Sequence, residues 1–158
     1  MKGTQQARIL VIDDEESVRK SLVFVLKDEG YVVDVAENGH QAIKKTKTNF
    51  YNLALVDIRL PDMDGISLLP RMRETVPKMV KIIVTGYPSL DNSIEAVNKG
   101  ADGYIIKPYS IEHLLHTIKE HLRKQQEANK FDERKVKEFI ETCVEEHEAK
   151  ISTKRSKK

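Results

Sequence analysis

The sequence predicts a doubly wound α/β fold, a parallel sheet of five strands with helices packed on both faces. Three observations carry that prediction. Short apolar runs alternate strictly with stretches whose apolar residues recur at helical spacing, giving five strand–helix pairs. Four of the runs are unbroken rather than alternating, as in strands covered on both faces. Those four also stop abruptly on polar, reactive side chains, which no packing need explains.

The first strand, Arg8-Ile9-Leu10-Val11-Ile12, runs into Asp13-Asp14. Val18, Leu22, Val25 and Leu26 follow at helical spacing over about Glu16 to Glu29, and Gly30 supplies the stop. Tyr31 to Ala36 mixes β-branched and polar residues as a second strand, and the turn Glu37-Asn38-Gly39 opens a short helix around Ala42 and Ile43. The third strand, Leu53-Ala54-Leu55-Val56, ends on Asp57. Ile66, Leu68, Leu69 and Met72 begin a third helix that must stop near Pro77. Pro70 should make it start late or bend, because an interior proline loses a backbone hydrogen bond and costs roughly 3 kcal/mol.

Lys81-Ile82-Ile83-Val84 runs into Thr85-Gly86, Ser89 caps a helix carrying Ile94 and Val97, and Gly100 closes it. Gly103-Tyr104-Ile105-Ile106 runs into Lys107-Pro108. Ser110 then caps a last helix with Ile111, Leu114, Leu115, Ile118 and Leu122 on one face. Residues 1–123 form this domain. From Lys124 the chain is nearly all polar until Phe131, after which Val136, Phe139, Ile140, Cys143, Val144 and Ile151 mark a second amphipathic helix. Residues 124–158 thus read as a separate charged helical extension with a disordered basic end, Lys154-Arg155-Ser156-Lys157-Lys158.

A chain of 158 residues suits one ordinary domain plus some excess. Its apolar and charged fractions are those of a soluble protein, no stretch has the length of a membrane span, and Met1 to Gln6 lacks a signal-peptide core, so a cytoplasmic location is expected. With one cysteine, Cys143, no internal disulfide can form and cysteine-pair metal sites are excluded. A net charge of +2 gives no reason to expect nucleic acid. His113 and His116 lack a third ligand, and solvent-facing histidines are expected there.

Ligands of open α/β sheets sit beyond the carboxyl ends of the strands, so Asp13, Asp14, Asp57, Thr85 and Lys107 stand where chemistry is done. Taken with Pro61-Asp62-Met63-Asp64-Gly65 after the third strand, these strand ends are identified as those of a receiver domain of two-component response regulators, a resemblance covering about Ala7 to Leu122. The resemblance implies the flavodoxin-like strand order 2-1-3-4-5. It implies that Asp57 accepts a phosphoryl group from a sensor histidine kinase or phosphotransfer protein. Mg²⁺ would be held by Asp13, Asp14, Asp57 and the backbone carbonyl of Arg59, an all-oxygen set of the kind that cation takes.

In the family Lys107 pairs with the phosphoryl oxygens, Lys107-Pro108 is a cis peptide, and Thr85 donates to another oxygen. Thr85 then moves and Tyr104 turns inward, altering the surface of the fifth strand and its flanking helices for a target protein or a homodimer. Such a protein is a switch that promotes only its own phosphorylation and dephosphorylation. Two other classes compete. The chain could be the N-terminal part of a DNA-binding transcription regulator, although Glu141, Glu145, Glu146 and Glu148 argue against DNA contact by the basic end itself. Aspartate-nucleophile phosphatases place a second aspartate two residues on, where this chain has Arg59. Arg59 and Tyr87 occupy the variable positions that flank the phosphate and influence its lifetime.

Overall fold

The computed structural model describes residues 6–156. Five strands, β1 (Arg8–Ile12), β2 (Val32–Ala36), β3 (Leu53–Asp57), β4 (Val80–Thr85) and β5 (Gly103–Ile106), form one parallel sheet in the order β2-β1-β3-β4-β5. Between them run α1 (Glu16–Asp28), α2 (Gly39–Thr48), α3 (Gly65–Leu68) and α4 (Leu90–Asn98), and α5 (Ile111–Ser156) follows β5. Both the strand order and the alternation are those expected.

Successive side chains of a strand point to opposite faces, and the core divides accordingly. Leu10, Ile12, Ala54, Val56 and Ile83 meet Ala42 of α2, Ile66 and Leu68 of α3 and Ala96 of α4. Ile9, Val11, Leu53, Leu55 and Ile82 meet Leu22 and Leu26 of α1 and Leu114 and Ile118 of α5. Burial on both faces is why these strands read as unbroken apolar runs.

The helix starts follow from capping. Asn38, Asp64 and Ser89 each accept a backbone N–H from the first turn of α2, α3 and α4, and the Ser110 hydroxyl accepts from His113 N at 3.1 Å. The third helix is shorter than its apolar pattern suggests: α3 keeps only Gly65–Leu68 and passes into a 3₁₀ turn at Leu69–Arg71, with Pro70 inside it. The proline supplies no amide hydrogen, so the α ladder cannot continue past it. The carbonyl of Leu69 instead accepts from the buried Lys81 ammonium at 2.7 Å. Lys81 spans the sheet-to-turn gap with its aliphatic stem, and burial, reinforced by Lys78, holds its ammonium below the ordinary value.

The last helix of the domain and the C-terminal amphipathic helix, read as two, are one continuous helix. The helix runs for 46 residues from Ile111 to Ser156. Lys124-Gln125-Gln126-Glu127-Ala128 is polar but made of strong helix formers, and no glycine or proline interrupts it. The basic end is likewise helical at Lys154, Arg155 and Ser156, where disorder was expected; Lys157 and Lys158 lie outside the described residues. The chain divides between Arg123 and Lys124 into two compact units.

At the edge of the sheet the Tyr51 hydroxyl, fully buried, donates to Asp34 Oδ2 at 2.6 Å, and Lys45 Nζ donates to Asp34 Oδ1 at 2.9 Å. Burial, then this bond, pushes the phenol's pKa up. Tyr51→Phe removes a hydrogen bond to a charged acceptor and is expected to cost about 1.5 kcal/mol, read as a lower urea midpoint at unchanged slope. An unchanged midpoint would mean the bond contributes nothing net.

Candidate functional site

The carboxyl ends of β1, β3, β4 and β5 bring the sequence-predicted residues to one edge of the sheet. Asp13 follows β1 and is almost fully buried; its Oδ1 accepts from Glu15 N at 2.9 Å and its backbone carbonyl from Arg19 Nη1 at 2.8 Å. Asp14 beside it is exposed. Asp57 closes β3 with its side chain 12% exposed. One ligand oxygen from each of Asp13, Asp14 and Asp57 lies within 4.8 Å of the others.

Lys107, just beyond β5, reaches into this group. Its Nζ lies 3.2 Å from Asp13 Oδ2 and 3.6 Å from Asp57 Oδ2. The Lys107–Pro108 peptide is cis. Burial disfavours the ammonium, but the carboxylates of Asp13 and Asp57 outweigh it and hold Lys107 above its ordinary pKa. For Asp57 the balance is reversed. Burial pushes its carboxyl up, Lys107 and the Arg59 amide oppose, and the charges of Asp13 and Asp14 add to the rise.

The loop after β3 is drawn tightly back over Asp57. Gly65 N donates to Ile58 O at 2.7 Å, and a Cβ on Gly65 would lie 2.0 Å from the backbone oxygen of Asp57. Asp64 accepts from Ile66 N at 2.7 Å, while Asp62 accepts from the amides of Gly39 and His40 and contacts the His40 ring. Against the cost of burial, those donors bring the Asp62 carboxyl down to about 2. The Asp62-Met63-Asp64-Gly65 segment is therefore a turn, as expected, whose two carboxylates serve as helix caps.

Thr85 is fully buried at the end of β4, and its Oγ1 accepts from Tyr87 N at 3.0 Å. Arg59 N donates to Asp57 Oδ1 at 3.3 Å, and the Arg59 guanidinium lies over the Tyr87 ring, 3.5 Å from its centroid. The sequence marked both residues as flanking positions but gave no sign that they touch. Tyr104 is not among the polar cluster: it is half-buried against the apolar core with Ala101, and its hydroxyl is buried with no hydrogen-bond partner.

Residues 9–119 match the response regulator receiver domain family. The chain belongs to that family. The receiver is 39% identical over 118 residues to the transcriptional regulatory protein ZraR of Klebsiella oxytoca, covering 75% of this chain and 27% of that protein. It is 34% identical over 132 residues to the transcriptional regulatory protein ResD of Bacillus subtilis, covering 84% of this chain and 55% of that one. The chain thus spans between about a quarter and about half of these curated relatives. A crystal structure of a CheY-like response regulator receiver domain protein from Methanospirillum hungatei superposes with a TM-score of 0.75 at 44% identity, covering 78% of this chain and 99% of that one.

A receiver domain is normally not a true enzyme, and it implies a histidine kinase partner. The acidic triad of this receiver is positioned to bind a metal ion. The donor set fits a hard divalent cation: all three ligands are carboxylate oxygens, and Asp57, disfavoured as an anion where it stands, would be relieved by one. Among the described residues no helix is long and apolar enough to cross a membrane.

Proposed function

We propose that this receiver is a phosphorylation-dependent signalling switch, with Asp57 as the phosphoacceptor and a sensor histidine kinase or phosphotransfer protein as the donor. The observation that carries the reading is the convergence at one sheet edge of Asp13, Asp14 and Asp57, with ligand oxygens within 4.8 Å of one another, and of Lys107, 3.2 Å from Asp13 and 3.6 Å from Asp57. Phosphoryl transfer asks mainly for positioning and charge neutralisation around an in-line displacement, and these residues supply both. An Asp57 carboxylate oxygen attacks phosphorus, the phosphorus–nitrogen bond of the phosphohistidine breaks, and the imidazole departs with its electron pair.

Mg²⁺, held by Asp13, Asp14, Asp57 and the Arg59 backbone carbonyl, would supply positive charge against the transferring oxygens. Lys107 lies close enough to exchange its carboxylate contacts for a phosphoryl oxygen, and Thr85 stands at the adjacent strand end to donate its hydroxyl proton to another. The phosphoryl group adds roughly two negative charges to a site already rich in them. The proposed readout is Thr85 moving toward it and Tyr104 repacking, which alters β5 and its flanking helices. Ile106, Leu90, Ile94 and Val97 are exposed there and suit a target protein or a second receiver.

Incubation with Mg²⁺ and acetyl phosphate should give a singly phosphorylated protein, with no product after Asp57→Ala or when the metal is chelated. An equal yield from the Asp57→Ala protein would refute the assignment. The description of ZraR and ResD as transcriptional regulators, and the fraction of each that this chain spans, favours a second reading in which the receiver controls an attached DNA-binding region. DNA binding by the full reading frame, compared with and without phosphorylation, separates the two.

A further inference from the structure

The C-terminal part of α5 presents apolar side chains that its own unit does not cover. Val136 is 58% exposed, Phe139 70%, Ile140 55% and Val144 50%, and Cys143 among them is exposed as well. Helices in proteins draw most of their stability from packing an amphipathic face, and the exposed apolar residues of this one offer such a face to a partner. Read in heptads, Ile140 and His147 fall at a, Val136 and Cys143 at d, Phe139 at g and Val144 at e. Phe131 falls at f, off this face, where the Lys135 ammonium lies 5.7 Å from its ring.

The charges decide what the partner is and which way it runs. We infer that residues 129–151 pair with the same segment of a second copy of this chain, as a parallel, in-register coiled coil. In that arrangement each g residue meets the e residue of the partner's next heptad. Asp132 then faces the partner's Lys137 and Phe139 the partner's Val144, an opposite-charge pair followed by an apolar one, while Glu146 meets the partner's Ile151 beyond the apolar layers. Glu138, Glu141, Glu145 and Glu148 fall at f and b and point away from the seam.

Antiparallel pairing sets g against g and e against e and gives no opposite-charge pair: Glu146 meets Asp132 in one register and Phe139 in the next, while Lys130 and Lys137 meet only each other or apolar residues. Glu133 at a and Lys150 at d bound the seam and confine its apolar layers to the stretch between them. None of these residues belongs to the phosphorylation site, so the pairing is a property of the helix alone and does not depend on Asp57.

Sedimentation equilibrium of the full chain should give twice the chain mass, unchanged by Asp57→Asn. Ile140→Glu puts a charge in the seam and should raise the dissociation constant by at least about tenfold. Phosphorylation of that variant by acetyl phosphate checks that its receiver is intact. Lys137→Asp alone should weaken the dimer by opposing two acids, and adding Asp132→Lys should restore it. Parallel register also brings the two Cys143 residues into one layer, near the roughly 4.4–6.8 Å Cα separation of a disulfide. Diamide, taking up the two protons and two electrons the thiols lose, should therefore cross-link the dimer. A monomer at all concentrations, a dimer indifferent to Ile140→Glu, or a charge swap that fails to restore association would each overturn the pairing.

Discussion

Asp57→Asn should raise the melting temperature of the metal-free protein by a few degrees, the shift that about 1 kcal/mol produces in a chain of this size. The reason is electrostatic. Burial and the neighbouring charges of Asp13 and Asp14 push the Asp57 carboxyl above its ordinary value of 3.8, and Lys107, 3.6 Å away, offsets them only in part. A carboxyl whose pKa is higher in the folded state stabilises the fold while protonated. That contribution is complete below 3.8 and is lost as the pH rises through the raised folded value. At neutral pH the wild-type protein therefore carries a penalty that asparagine, nearly the same shape, does not.

The gain from Asp57→Asn should fade as the pH falls through the raised folded value and be gone below 3.8. The same logic runs through the metal: Mg²⁺ should raise the melting temperature of the wild type and much less that of the variant, because one of three carboxylates is gone. A metal-free Asp57→Asn protein that melts at or below the wild-type temperature at neutral pH would show that Lys107 fully compensates the cluster.

Gly65→Ala is expected to be the most damaging small substitution at the site, costing about 3 kcal/mol. The new Cβ would lie 2.0 Å from Asp57 O and within 2.9 Å of Ile58 Cα. Both are backbone atoms, so no side-chain rotation relieves the overlap, and the loop must move off the strand end. The Gly65 N–H bond to Ile58 O, at 2.7 Å, is lost with it. That loop also carries Arg59, so its displacement should lower the yield of phosphoprotein together with the urea midpoint. A variant with wild-type stability and undiminished phosphorylation would mean the loop yields without cost.

The contrast between Gly65 and Asp57 marks how far a sequence can be read. Asp57 is legible because it ends an apolar run, and burial on both faces leaves few other reasons for a carboxylate there. The same is true of Asp13, Thr85 and Lys107, and it holds for the strand order once the family resemblance is included. Gly65 was visible only as part of a turn, since the atom it must avoid belongs to a residue whose position depends on the whole loop. Lys81, read as the opening of an apolar strand, turned out to cap a helix truncated by Pro70, a tertiary bond that no local pattern encodes. The last helix of the domain and the C-terminal one were read as two because the apolar spacing lapses between Leu122 and Phe131, although the residues across that lapse favour helix and α5 runs through them.

The contacts around Asp57 close on themselves. Its carboxylate holds the Arg59 amide, the Arg59 guanidinium rests on the Tyr87 ring, and the Tyr87 amide is held by the Thr85 hydroxyl at the neighbouring strand end. Because Thr85 only accepts in that bond, its own proton remains to be offered elsewhere. A pull on the hydroxyl would thus drag Tyr87 by its backbone and disturb the cation resting on it, while a change at the carboxylate reaches the same pair from the opposite side. Two loops with no covalent link nearer than β4 are belted into a single mechanical hoop, and a hoop transmits tension in both directions.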